Sequence, residues 1–130
     1  MRKLLFVSIF ALTTISIFAQ STSEAPQQNI STDSTVVYRL FATKNIYTFI
    51  KLNTRNGQMW QIQWGTGKNE TFETLLSDIS RVKEEEEMNG RFFLYPTTNL
   101  YNFILLDQIN GRAWQVQWGD KKDRMVIPIY

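Results

Sequence analysis

The chain contains no cysteine and no histidine. Without cysteine there are no disulfides, no thiolate nucleophiles and no thiolate metal ligands. Without histidine there is no imidazole for Ser-His-Asp or Cys-His catalysis, and the two absences together leave almost no route to a zinc site. No metal and no cofactor are expected. An excess of one charge is also missing. Of the 14 basic and 12 acidic residues, Arg2 and Lys3 stand at the extreme N-terminus, leaving twelve of each sign beyond them. A nucleic-acid partner requires a basic surplus to neutralise phosphate, so none is expected. There is no Gly-rich phosphate loop: Gly65-Thr66-Gly67 reads as a turn. Long apolar runs are absent too. Leu4 to Phe18 is about 15 residues, short of the ~20 that span a bilayer core.

That run has another reading. Arg2 and Lys3 precede it and the small Ala19 follows it, the pattern of a secretory signal peptide over residues 1–19, cut before Gln20. The protein is expected to be exported, to a periplasmic or extracellular location, with no stable membrane span after cleavage. Residues 20–35 are polar and rich in Ser, Thr and Gln. They carry too little apolar surface to offset the entropy of ordering, and read as a flexible tether.

Residues 36–130 form one duplicated domain: repeat one 36–76, a linker 77–89 and repeat two 90–130. Shifting the chain by 54 positions aligns Thr43, Asn45, Tyr47, Phe49, Ile50 and Leu52 with Thr97, Asn99, Tyr101, Phe103, Ile104 and Leu106. The block Trp60-Gln-Ile-Gln-Trp-Gly65 falls on Trp114-Gln-Val-Gln-Trp-Gly119, and 13 of 23 positions over 43–65 and 97–119 are identical. Such self-similarity marks one supersecondary unit built twice.

The unit reads as β structure. Runs dense in aromatic and β-branched residues flank Asn56-Gly57 and Asn110-Gly111, a hairpin signal with glycine supplying positive φ. The return strands alternate with period two, placing Trp60 and Trp64, and likewise Trp114 and Trp118, on one face and the glutamines on the other. Pro96 is expected to end one strand, and Pro128 to mark an edge or bulge. Repeat parity assigns Thr71 to Leu76 to strand, against the helical spacing of Phe72, Leu75, Leu76, Ile79 and Val82, and Ser77 to Met88 is assigned to a helical linker. The expected fold is all-β: two four-stranded antiparallel repeats related by a pseudo-twofold, packed as a small sandwich or barrel.

Trp60, Trp64, Trp114 and Trp118 are expected in the structural core, where large aromatic area is usually placed. Catalysis is not expected. Asp107 is the only acid in the repeated blocks and its counterpart is Asn53, so the duplication builds no carboxylate pair. Glu84 to Glu87 read as a solvated face rather than a cation site. The candidate binding residues are Tyr47, Phe49, Gln61, Gln63, Tyr101, Phe103, Gln115 and Gln117, an aromatic and glutamine face presented twice. Such a face suits a repetitive partner, a glycan or a protein surface, because linked sites raise avidity. The expected function is therefore non-enzymatic binding. A structural subunit associating through β edges, with homo-oligomerisation open, is the alternative, and a carboxylate hydrolase a weaker one.

Leu94 to Gly119, LYPTTNLYNFILLDQINGRAWQVQWG, resembles short exported proteins of uncharacterised function from gut Bacteroidetes, and Phe18-Ala-Gln20 fits such a signal junction. The resemblance implies a bacterial secretory route and no activity. The Asp-x-x-Asn-Gly-Arg-x-Trp hairpin also looks like a β-propeller blade, although two blades close a propeller only if chains associate.

Overall fold

Runs rich in aromatic and β-branched residues form strands throughout the described part of the molecule, residues 30–130 of a computed structural model. The expected signal peptide and most of the expected tether lie outside the described residues. Eight strands run in order: β1 Tyr38–Ala42, β2 Thr48–Asn53, β3 Met59–Gln63, β4 Phe72–Ser77, β5 Phe92–Pro96, β6 Asn102–Asp107, β7 Ala113–Gln117 and β8 Met125–Ile129. They form two separate antiparallel meanders, β1-β2-β3-β4 and β5-β6-β7-β8. The sheets stack as a sandwich and do not close into a barrel. No helix of the described residues is long and apolar enough to cross a membrane. Ile30, within the expected tether, packs against the core.

The hairpin loops resolve how Asn-Gly works here. Gly57 has φ +82° and Gly111 φ +79°, while among the described residues none other than glycine has positive φ. The turn is thus a longer loop, Thr54 to Gln58, closed by Gly57 N–H donating to Asn53 O at 3.0 Å. Gly111 N–H donates to Asp107 O at 2.9 Å in the second copy. A Cβ on Gly57 would lie 3.1 Å from Arg81 Cδ and 3.3 Å from Phe92, whereas one on Gly111 would meet nothing within 4 Å. Gly111→Ala should therefore cost only the left-handed backbone penalty, about 1–2 kcal/mol. Gly57→Ala should cost more in a denaturant titration, since packing strain is added.

The 77–89 linker is not the expected helix. Its one regular element is a 3-10 turn, Glu84–Glu86. The helical spacing of apolar residues there is split between strand β4 and an extended segment tied to the first hairpin loop. Arg81 N–H donates to Asn56 O at 2.8 Å, Arg81 Nη1 to Gly57 O at 3.1 Å, and Gln58 Nε2 to Asp78 O at 2.7 Å. These tertiary bonds outweigh helix propensity, as they commonly do.

The largest departure is in which face each repeat buries. We call front the face carrying Ile50 and Gln61, or Ile104 and Gln115, and back the face carrying Phe49 and Trp60, or Phe103 and Trp114; register places each pair across neighbouring strands. Sheet one buries its front: Phe41, Ile50, Leu52 and Met59 are all at most 3% exposed. Sheet two buries its back: Phe92, Leu94, Leu105 and Val116 are each 0% exposed. A twofold would bury the same face from both copies. The expected pseudo-twofold is thus replaced by front-to-back stacking. Thr54 O clasps the repeats together by accepting Phe92 N–H at 2.8 Å, and at the edge of the stack Phe93, a front residue of strand β5, meets Phe41 edge-on with ring centroids 5.1 Å apart.

Candidate functional site

The repeated Thr, Asn, Tyr and Trp build the same corner at one end of each sheet. Thr43 Oγ1 donates to Thr48 O at 2.8 Å and accepts Asn45 N–H at 3.1 Å. Asn45 Oδ1 accepts Tyr47 N–H at 2.9 Å. Thr97, Asn99 and Tyr101 repeat the pattern, with Thr97 Oγ1 donating to Asn102 O at 2.8 Å and Asn99 Oδ1 accepting Tyr101 N–H at 2.9 Å. Short polar side chains bonding the backbone two residues on make such turns. Each corner then holds a tyrosine against a tryptophan: Tyr47 and Trp64 centroids are 5.3 Å apart, Tyr101 and Trp118 4.9 Å.

Front-to-back stacking sets the second corner over the front of the first sheet. Between them lies a cleft of about 450 Å³. Repeat one contributes Asn45, Thr48, Gln61 and Gln63, and repeat two contributes Tyr101, Gln117, Trp118, Gly119, Asp120 and Asp123. Gly119 N–H donates to Gln61 Oε1 at 3.1 Å, tying the walls together. Gln117 Nε2 donates to Asp123 O at 2.9 Å, which holds the loop after β7 in place. Amide, phenol and carboxylate groups thus converge from both repeats, offering donors and acceptors side by side. Trp118 Nε1 is buried without an acceptor, whereas its counterpart Trp64 Nε1 donates to Ile46 O at 2.9 Å.

The eight sequence candidates do not share one face. Phe49 pairs across the ladder with Ile62, and Ile50 with Gln61, so the phenylalanines and the glutamines point to opposite sides of their sheet. Phe103, on the buried back of sheet two, is 4% exposed and belongs to the core. Gln61, Gln63, Tyr101 and Gln117 meet in the cleft. Tyr47 stands at the free corner of sheet one, Phe49 on the open back and Gln115 on the open front. The tryptophans divide by repeat for the same reason. Trp114 and Trp118 are core, at 8% and 4% exposure, but Trp64 is 48% exposed and Trp60 only half-buried. Asp120 and Asp123 were missed as lining residues, because they lie beyond the identical blocks and carry no repeat signal.

Asp107 is spent on structure. Its carboxylate is fully buried and accepts Arg91 Nε at 3.0 Å and Arg91 Nη2 at 2.9 Å, a bidentate pair. It also accepts N–H groups from Ile109 and Asn110 at the start of the loop. Burial alone would raise this carboxyl's pKa. The Arg91 hydrogen bonds, the two backbone donors and the Arg91 charge outweigh burial and hold it below the usual carboxylate value. Among the described residues no group of three or more His, Cys, Asp or Glu is placed to hold a metal ion. No family model, no curated protein and no solved structure matches the chain.

Proposed function

We propose that this is a small exported, non-enzymatic binding protein whose ligand, a neutral hydroxyl-rich molecule of the glycan class, sits in the cleft between the repeats. The observation that carries the reading is the convergence of Gln61, Gln63 and Gln117 with Tyr101 in one cleft. Amide side chains donate to and accept from hydroxyls, and an aromatic ring offers a face to sugar C–H groups. Asp120 and Asp123 add acceptors and disfavour an anionic ligand. The export half of the reading rests on residues 1–19, and their likeness to leaders of bacterial secreted proteins supports it.

Tyrosine and tryptophan fluorescence, titrated with a panel of neutral cell-wall and plant oligosaccharides, tests the ligand class. A responding oligosaccharide should lose about tenfold in affinity with Gln63→Ala and with Tyr101→Ala, the size of one or two removed hydrogen bonds. Gln108→Ala, at the opposite end of sheet two, should leave affinity unchanged. Silence across the panel would overturn the glycan assignment.

A further inference from the structure

Each repeat has a front and a back, and the described residues cover only one of each. Among the described residues the back of sheet one and the front of sheet two remain open. The open back carries Tyr38, Phe49, Trp60, Ile62 and Trp64 where the buried back carries Phe92, Phe103, Trp114, Val116 and Trp118. Tyr38 is 55% exposed against 0% for Phe92, and Trp64 48% against 4% for Trp118. The open front carries Tyr95, Ile104 and Leu106 where the buried front carries Phe41, Ile50 and Leu52. Tyr95 is 43% exposed against 3% for Phe41, and Ile127 and Ile129 widen the patch at 48% each. Wide apolar surfaces of this kind mark interaction sites. Their occupant is defined by the chain itself: the surface that fits an open front is an open back, because their twins already fit each other within the molecule.

A second observation points the same way. Tyr47, Gln63, Trp64, Gly65, Thr66 and Glu70 line a hollow of about 310 Å³ at the free corner of sheet one. The first five are the counterparts of Tyr101, Gln117, Trp118, Gly119 and Asp120, the repeat-two half of the complete cleft. The missing half has its twin in Asn99, Asn102, Gln115 and Gln117 of sheet two. Within one chain those residues cannot reach the hollow, because the chain's own front-to-back contact uses the other two faces. A second copy can supply them.

We propose that the open front of sheet two stacks on the open back of sheet one of the next copy, closing a ring of four-stranded blades and completing a further cleft at every junction between copies. The contact joins two different patches, so association continues from copy to copy until the ring closes. Radial arrays of four-stranded sheets close with about four to eight blades, which here means two to four chains. Edge-to-edge pairing through sheet two is the weaker route, since Pro96 and Pro128 lie in its edge strands β5 and β8 and deny them ladder donors. Lys51, where the buried back carries Leu105, pairs with Glu73 and lies over the Trp60 ring at 4.9 Å, so it enters the junction neutralised.

Light scattering on the purified full chain should show one species of two, three or four chain masses, unchanged on tenfold dilution. Tyr38→Asp spoils the open back and Tyr95→Asp the open front. Both positions are exposed, so each variant should keep the wild-type far-UV circular dichroism and run as a monomer. Mixed in equal amounts, the two variants retain one good front and one good back, and should form a 1:1 dimer that grows no further. A monomeric wild type at high concentration, an open-ended ladder of sizes, dissociation by only one of the two changes, or a mixture that stays monomeric would each overturn the proposal. None of these readings depends on which ligand the cleft takes.

Discussion

Replacing Asp107 with alanine is expected to remove about 3–5 kcal/mol of stability, the cost of stranding one member of a buried ion pair. The residue is fully buried, and Arg91 is itself only 8% exposed. Alanine would leave the Arg91 guanidinium without its bidentate partner and the Ile109 and Asn110 N–H groups without an acceptor. Repeat one shows that the fold itself does not require the pair. Val37 and Asn53 stand at the equivalent positions, and Asn53 Oδ1 supplies the turn by accepting Arg55 N–H at 3.0 Å. Asp107→Asn should therefore keep the turn and lose less than alanine does. The pair also fixes a pH response. A carboxyl whose folded pKa is depressed contributes stability that is fully present above the unfolded value, about 3.9, and is lost as pH falls through the folded one. Urea midpoints should fall on acidification below about pH 4 in wild type, and this component of the fall should be missing in Asp107→Asn.

Trp114→Ala should cost a comparable amount, about 3–5 kcal/mol, and its repeat twin Trp60→Ala markedly less. Trp114 is 8% exposed, lies 6.1 Å from the Phe92 ring, and has the Arg81 and Arg112 guanidinium carbons 5.6 and 5.4 Å from its centroid. Its removal opens the junction between the sheets. Trp60 faces outward on the open back with Tyr38 and Lys51 beside it. Thermal unfolding in the Tyr95→Asp background, where association is blocked and neither tryptophan loses a neighbouring ring, makes the comparison direct. Equal losses at the two tryptophans would mean that both backs are buried within one chain.

The strands and their pairing were legible because Gln61, Ile62 and Gln63, like Gln115, Val116 and Gln117, alternate with period two, and because the two copies corroborate each other. The choice of buried face was not. Phe49 and Ile50 are apolar on opposite sides of one strand, as are Phe103 and Ile104, so the pattern admits either face inward. It takes the stack to choose, and the stack chooses differently in the two copies. The same ambiguity hid the cleft. Gln61 and Tyr101 lie in different repeats and on opposite sides of their units, and only front-to-back packing brings them together. The two-sided apolarity that obscured the core follows from a unit built to be covered on both sides. The linker misled for another reason: Phe72, Leu75 and Leu76 belong to an edge strand, and Arg81 is drawn to the first hairpin loop, so helical spacing there arose without a helix.

Front-to-back stacking is the claim on which cleft and assembly both stand, and an isotope-edited NOESY spectrum tests it most directly. The account predicts cross-peaks from the Gly119 amide proton to the Gln61 side chain, where nitrogen and oxygen are 3.1 Å apart, and from the Phe92 amide proton to Thr54, whose carbonyl oxygen accepts it at 2.8 Å. Cross-peaks between Ile50 and Ile104 methyls, or between the Trp60 and Trp114 indoles, would place like faces together and contradict it.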